Sequence, residues 1–463
     1  MSSEPRPRAE RVTPLSGFPE LLPAERILEQ QLLDVIRRTF ELHGFAPLET
    51  RAVEPVDRLL GKGGDADKEI YAVSRLAAGA DAAPGDGGEE ARLGLHFDLT
   101  VPFARYVLEN AGRLQFPFRR YQIQKVWRGE RPQEGRFREF TQADVDVVDV
   151  GELAPHFEAE IPLVVADAFS RLPVGPFRIH VNDRRVCEGF YLGIGLTDVV
   201  GTLRAVDKLD KVGPEAVTAM IVATGATADQ AERCLALAAI RSEDLSFVEQ
   251  VRGLRVEHPL LDDGLEALSA VVATGMERAP GTLLADLHIA RGLDYYTGAV
   301  YETFLVGDED YGSVCSGGRY DSLATDGRVT YPGVGISIGL TRLLHLLLTR
   351  RGLSASRSTP SCVLVAVPDE AGRPASVGVA TALRARGVPC EVAPSAAKFG
   401  KQIRYADRRG IPYVWFPAGP GAAGAPAGRG HEVKDVRSGE QVPADPGAWL
   451  PPAADLRPVV VSR

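Results

Sequence analysis

Between Arg120 and Val148 the chain reads RYQIQKVWRGERPQEGRFREFTQADVDVV. Two strand-like halves flank a turn that carries Arg128, Arg131, Arg136 and Arg138, offset only by Glu130 and Glu134. A hairpin of that charge suits a polyanion such as a triphosphate or a nucleic-acid backbone, because a guanidinium offers paired N–H groups that match phosphate oxygens. A solvated hairpin of alternating charge accounts for the same residues, and the stretch alone does not separate the two. A second stretch, ARGLDYYTGAVYE at 290–302, sets an arginine beside a glycine, an aspartate and paired tyrosines. Tyrosine hydroxyls can floor a polar pocket and bond a buried ligand; a strand with interior tyrosines is the plainer alternative. YGSVCSGGRYD at 311–321 is rich in glycine, and such a stretch is expected simply to turn. GVGISIGLTRLLHLL at 333–347 reads as a strand running into a helix, with Arg342 in the first helical turn. That junction suits phosphate, although an arginine merely facing solvent fits it too.

The elements that must position these residues follow from periodicity. Leu28, Leu32, Val35, Ile36 and Phe40 recur at helical spacing, so residues 24–43 form an amphipathic helix, followed by the extended segment FAPLETRAVEP. Residues 75–93 are small, acidic and glycine-rich, which predicts a mobile surface loop. Strand-like segments are expected to dominate 94–150. Residues 185–275 are rich in Ala and Leu and read as a helical insertion, with LDKVGPEAV as a helix–turn–helix junction. Strand-type sequence resumes from about 282 to 338. GLSASRSTP at 352–360 reads as a linker. Beyond it the order is βαβαβ: CVLVAV, a helix from Ala375 to Arg386, VPCEVAP, a helix from Ala396 to Arg409, and IPYVWFP. That predicts a small α/β domain with a mostly parallel sheet, and HEVKDVRSGEQV closes it as a hairpin.

Composition narrows the class. A chain of 463 residues exceeds one ordinary core and implies two or three domains. A hydrophobic share of 44% with 25% charged residues is that of a soluble globular protein. The opening residues carry proline and charge without an apolar run. The apolar stretch at Leu343–Leu348 is interrupted by His345 and is too short for a bilayer, so no membrane association and a cytoplasmic location are expected. Five cysteines at wide spacing, with no CxxC pair, read as buried free thiols in a reducing compartment and argue against a zinc site; no metal ligands are assigned. The net charge of −9 excludes indiscriminate nucleic-acid binding but leaves room for a local basic surface.

Taken in order, these stretches resemble the three signature motifs of class II aminoacyl-tRNA synthetases: residues 24–55 the first, 126–148 the second and 333–344 the third. RGLDYY and SGGRYD resemble the two motifs peculiar to histidyl-tRNA synthetases. The HIGH and KMSKS motifs of class I are absent. The resemblance implies an α/β (α+β) fold class. A catalytic domain built on an antiparallel sheet would span 1–355, interrupted by the helical insertion at 185–275. An α/β domain similar to the anticodon-binding domain would span 360–463. It implies ATP-dependent activation of L-histidine with Mg²⁺, transfer to the 3′ end of histidine tRNA, and a homodimer.

Residue by residue, the resemblance places Asp98, Leu99 and Thr100 of HFDLTVP beside the histidine, with Asp98, Thr100 and Gln142 on its α-ammonium. Arg128 would bridge the histidine carboxylate and the α-phosphate, and Arg291 would sit at the reacting phosphate, making these two the catalytic pair. Asp146 and Tyr296, with Tyr295 beside them, would read the imidazole. ATP would be held by Arg128, Glu130, Phe140 stacked on adenine, and Arg342. Arg131 and Gln133 would read the extra 5′ guanine of histidine tRNAs. By spacing alone Lys398, Lys401, Arg404 and Arg408 fall on one helix face, which suits a nucleic-acid surface or an ordinary solvated one, and the resemblance makes that nucleic acid tRNA. The third motif departs from many family members by carrying Thr341 in place of an acidic residue. Three rival readings share the sequence: a non-catalytic regulatory paralogue, a histidine-activating enzyme with a small-molecule or carrier-protein acceptor, and a plain nucleic-acid-binding module. The intact RGLDYY stretch and the C-terminal domain speak against the first, and the retained arginines against the third.

Overall fold

The hairpin read from residues 120–148 is present as two paired strands of the largest sheet. The computed structural model describes residues 12–60, 69–75, 92–289, 295–418 and 430–462. Arg291, most of the acidic 75–93 stretch and most of the 418–430 loop lie outside them. The chain divides into two compact units, one of residues 1–19 and 35–346, the other of 20–34 and 347–463.

Both units draw on α1 (Pro23–Leu42), whose Leu28, Leu32, Ile36 and Phe40 are fully buried, as the helical spacing predicts. In the first unit follow α2 (Thr100–Asn110), β1 (Phe118–Trp127), β2 (Glu139–Val148), α3 (His156–Arg171), β3 (Phe177–Asp183) and α4 (Arg184–Gly193). After four further helical segments come α5 (Pro259–Arg278), β4 (Leu283–Asp286), β5 (Ala299–Leu305), β6 (Cys315–Tyr320), β7 (Gly333–Gly339) and α6 (Leu340–Thr349). Among the described residues nine strands form one sheet, whose central six run β1-β2-β7-β6-β5-β3, every neighbour antiparallel. Ala46–Pro47 joins one edge in parallel, and β4 with Arg241–Ser242 closes the other.

The helical run leaves the sheet at the end of β3 and returns through β4, which pairs with β3 in parallel. Its two ends cross closely: a Cβ at Gly189 would lie 2.3 Å from the Leu261 nitrogen, and one at Gly264 would lie 2.6 Å from that of Val186. The junction LDKVGPEAV is indeed broken, with Gly213 at φ 81° ahead of Pro214.

Three sequence expectations are corrected. Residues 100–110 form a helix within the region expected to be mainly strands. Val101, Ala104 and Val107, together with Phe103, are buried at spacings of three and four, and Asp98 Oδ1 accepts the Val101 amide at 3.1 Å. Such a carboxylate meets one of the amides a helix start leaves unpaired. SGGRYD is a central strand rather than a turn. A Cβ at Gly317 would lie 2.1 Å from the Gly335 carbonyl, so the glycines there serve close strand packing. The 352–360 linker contains β8 (Leu353–Ala355), antiparallel to a strand at Val460–Ser462, and a buried Arg357 whose guanidinium donates to the Thr359, Pro360 and Leu456 carbonyls.

The second unit continues with β9 (Val363–Val365), α7 (Arg373–Ala385), β10 (Cys390–Val392), α8 (Phe399–Arg409), β11 (Tyr413–Phe416), and the hairpin β12 (Glu432–Asp435) and β13 (Gln441–Pro443). Strand order is β10-β9-β11-β12-β13, with the first three parallel. Val363, Val365 and Trp415 are completely buried in one of its two cores. All five cysteines are buried and free. Among the described residues no helix is long and apolar enough to cross a membrane.

Candidate active site

Register across the β1–β2 hairpin lines up Arg120 with Asp146, Gln122 with Asp144, and Gln124 with Gln142. Because side chains alternate along a strand, these six share one face, and Tyr121, Ile123, Ala143, Val145 and Val147 take the other. The polar face is buried all the same: Arg120 and Gln122 are 0% exposed, Asp144 and Asp146 2%. Burial of such groups is tolerable only when they are paired. Arg120 lies 2.8 Å from Asp146 Oδ2 and 4.0 Å from Asp144 Oδ2, with its guanidinium carbon 4.2 Å from the centre of the Phe103 ring. Tyr320 donates its hydroxyl to Asp146 Oδ1 at 3.0 Å, and Gln142 donates to Ser337 Oγ at 2.8 Å. Burial raises the carboxyls of both aspartates above the ordinary range, with Arg120 pulling each back; for Asp144 the result is about 7.

A small cavity opens onto this floor, lined by Thr100, Asp144, Asp146, Tyr296, Ser316, Tyr320, Gly335, Ile336 and Ser337. Gly335 keeps it open, since a Cβ there would fall 2.0 Å from Asp146 Oδ1. At its side Tyr295 donates to Asp98 Oδ2 at 3.0 Å, and burial raises the Asp98 carboxyl. Tyr296 lies so close to Gly318 that a Cβ there would come within 2.9 Å of its ring. A larger cleft, lined by Glu54, Arg58, Arg105, Thr325 and apolar residues, shares no lining residue with this cavity. The smaller cavity is lined by Thr100, Asp146 and Tyr296 of the residues assigned from the sequence, and the larger cleft by none of them.

The other end of the hairpin is open and cationic. Arg128 donates from Nε to the Phe97 carbonyl at 3.0 Å, and its guanidinium carbon stands 5.1 Å from the centre of the Phe140 ring. Glu130 lies 3.2 Å from Arg136 and 3.8 Å from Arg128. Arg131 and Gln133 are exposed on the loop. Arg342 reaches the same loop from α6, donating to the Gly135 carbonyl at 3.2 Å and to the Tyr311 carbonyl. Its guanidinium carbon lies 4.6 Å from the centre of the Tyr311 ring. Burial lowers the Arg342 pKa. Thr341 has a definite role: its hydroxyl accepts the Thr141 amide at 2.9 Å.

The structure therefore brings Asp98, Thr100, Gln142, Asp146, Tyr295 and Tyr296 to one cavity region. Leu99 is fully buried, with its carbonyl 3.4 Å from Arg120. Arg128, Glu130, Phe140 and Arg342 gather at the loop end, and Arg291 lies outside the described residues. In the second unit Lys401, Arg404 and Arg408 are exposed on α8, and Lys398 is exposed as the residue just before its first turn. Sequence reasoning missed Arg120, Asp144 and Tyr311. Alternation along β2 puts Asp144 on the face of Asp146 and would have found it; Arg120 joins that face only through the cross-strand register.

The histidyl-tRNA synthetase family model matches residues 17–343, and the anticodon binding domain model matches residues 361–416. The chain is 60% identical to the histidine–tRNA ligase of Micrococcus luteus, covering 97% of this chain and 98% of that protein. It is 57% identical to that of Cutibacterium acnes, covering 97% and 99%. The crystal structure of histidyl-tRNA synthetase from Nostoc sp. PCC 7120 superposes with a TM-score of 0.80 at 34% identity, covering 94% of this chain and 97% of that one.

Proposed function

The chain belongs to the histidyl-tRNA synthetase family and joins histidine to tRNA at the expense of ATP, and from that premise we propose how its residues divide the work. One observation carries the assignment: a single hairpin joins a buried acidic cavity to an open, arginine-rich loop. An amino acid fits the first and a nucleotide the second.

Asp98, with Thr100 and Gln142, receives the α-ammonium beside Leu99. The imidazole enters the cavity toward Asp146, Tyr295 and Tyr296. Arg128 then faces both the histidine carboxylate and the α-phosphate. Activation is an in-line displacement in which a carboxylate oxygen bonds to the α-phosphorus and pyrophosphate leaves. It needs alignment and cations where charge develops, without a covalent enzyme nucleophile. Arg128 and Arg291 supply that charge, since guanidinium stays protonated throughout. Phe140 offers its ring to adenine, and Arg342 binds the outer phosphates. In the second step a 3′-terminal hydroxyl of tRNA bonds to the histidyl carbonyl carbon, and AMP leaves.

Magnesium fits this site through the nucleotide. No group of three carboxylate, imidazole or thiol ligands stands ready among the described residues. The phosphates would hold the ion, with Glu130 supplying a side-chain oxygen once it turns from Arg136. There it would neutralise phosphate charge.

The catalytic part is taken as residues 1–355, with 185–275 as its insertion, and 360–463 as the part that holds the anticodon stem-loop. Lys398, Lys401, Arg404 and Arg408 would meet the tRNA backbone, while Arg131 and Gln133 meet the acceptor end. A homodimer working in the cytoplasm completes the reading. The test is histidine-dependent ATP–pyrophosphate exchange followed by charging of histidine tRNA. Neutralising the four basic residues should lower the salt slope of tRNA binding by about one per lost phosphate contact and spare exchange. Exchange that does not require histidine, or charging unaffected by loss of the basic face, contradicts the reading.

A further inference from the structure

Asp146 is the carboxylate that the motif resemblance assigns to the imidazole, yet its two oxygens are already engaged. Oδ2 takes Arg120 at 2.8 Å, and Oδ1 takes the Tyr320 hydroxyl at 3.0 Å. Two residues earlier on the same strand face, Asp144 is 2% exposed and lines the same cavity, and its Oδ1 has no hydrogen-bond partner among the described residues. A buried acceptor left unpaired is costly, so an orphan facing a ligand cavity marks where a donor belongs.

Charge counting gives the donor's nature. The groups facing Asp144 are Arg120 on β1, Asp146 on its own strand, Ser337 on β7, and, farther off, Asp98 ahead of α2. Tyr320 on β6 and Tyr296 are the titratable side chains among the other lining residues, and the buried Cys315 thiol on β6 lies within reach of the Asp144 charge. Among the described residues Arg120 is the one cation in this group, and it already contacts Asp146. With both Asp144 and Asp146 ionised, the described floor carries one uncompensated negative charge; burial, with a smaller push from Asp146, raises the Asp144 carboxyl to about 7 against the pull of Arg120.

We propose that Asp144 is a second imidazole-reading carboxylate, accepting a ring N–H, and that it makes the pocket select histidine with its ring protonated. The ring then carries a donor on each nitrogen and supplies the missing positive charge. Above pH 7 free histidine is mostly neutral at the ring, so binding must draw one proton from buffer onto the ring. Neutral isosteres lose on charge even where they fit in shape. This inference rests on the histidine-activating reading proposed above, which wild-type histidine-dependent exchange tests by itself.

Two measurements decide it. Calorimetry of histidine binding to the wild-type protein at pH 8, in buffers of different ionisation enthalpy, should show net proton uptake. In exchange assays the wild-type should prefer histidine over the weakly basic 1,2,4-triazolyl-alanine. Asp144→Asn should raise the histidine KM by roughly tenfold or more, as expected on losing a charge-assisted acceptor, leave the ATP KM within about twofold, and narrow the histidine-to-triazole ratio. If Asp144 only props Arg120, the substitution lowers kcat and stability while the ratio stays fixed, and the proposal fails. It fails equally if the wild-type takes up no proton, or if uptake persists in Asp144→Asn. Should that variant not fold, wild-type uptake and the wild-type analogue ratio decide alone.

Discussion

The two ends of the β1–β2 hairpin come from one continuous stretch of chain and solve opposite problems. At the floor, Arg120, Asp144 and Asp146 are sealed from water and held in place by register and mutual charge. At the loop, Arg136 keeps 44% of its side-chain exposure and Arg128 28%, and their partner Glu130 lies at 3.2 and 3.8 Å. Buried charge is fixed because release would strand a partner without solvent, which suits discrimination between small rings. Exposed arginines are weakly committed, since such pairs contribute about 0–1 kcal/mol, and they remain available to a substrate that brings its own negative charge. The strand pairing that makes the hairpin rigid therefore serves selectivity at one end, and looseness serves capture at the other.

Substitutions at each end should part company. Arg120→Met leaves Asp146 buried without its cation and should cost about 3–5 kcal/mol of folding stability by chemical denaturation. A loss below about 1 kcal/mol would mean that the floor is no more committed than the loop. Arg128→Ala should leave the melting temperature within a degree or two and slow adenylate formation on the order of 10²–10³, the usual loss for one preorganised donor. Comparable damage to folding would erase the distinction.

The floor should also respond to pH. A carboxyl whose folded pKa is raised contributes stability that is complete below its unfolded value and disappears as pH rises through the folded one. For Asp144 that window runs from about 3.8 to about 7. The ligand-free protein should thus lose stability between about pH 4 and 7, and Asp144→Asn should flatten this decline; an unchanged profile would place the titration elsewhere. The smallest effect belongs to the loop tip. Replacing Arg131 and Gln133 by Ala should depress tRNA charging several-fold while sparing pyrophosphate exchange, and equal loss in both would assign the tip to the nucleotide.

Much of this architecture is legible in the amino-acid sequence. The hairpin, α1, the break at Gly213 and the βαβαβ order follow from periodicity and turn residues, which are local signals. Where the sequence misleads, the cause is tertiary. The helix at 100–110 hides behind HFDLTVP because its start depends on the Asp98 side chain, and its short apolar pattern competes with strand alternation. SGGRYD misleads because glycines that turn a chain and glycines that admit a neighbouring strand look alike in sequence; only the approach of Gly335 separates them. The arginines of the loop stand out as a charge cluster, whereas Arg120, the one deeply buried at the floor, looks like any other basic residue until its partner across the ladder is known.

Tyr311 ties the loop to α6. Its hydroxyl donates to the Arg342 carbonyl at 3.0 Å and lies 3.0 Å from His345 Nδ1, and a Cβ on Gly135 would fall 2.0 Å from that same oxygen. In evolutionary terms positions 135 and 311 are epistatic, and the order of change matters. While tyrosine occupies 311, any side chain at 135 collides with it, and the φ of 67° at Gly135 adds a second penalty. A lineage can enlarge 135 only after 311 has shrunk, and once it has done so tyrosine can no longer return. Directed-evolution libraries that vary the loop with Tyr311 fixed will keep recovering glycine at 135, and only libraries that vary both positions can reach other sequences.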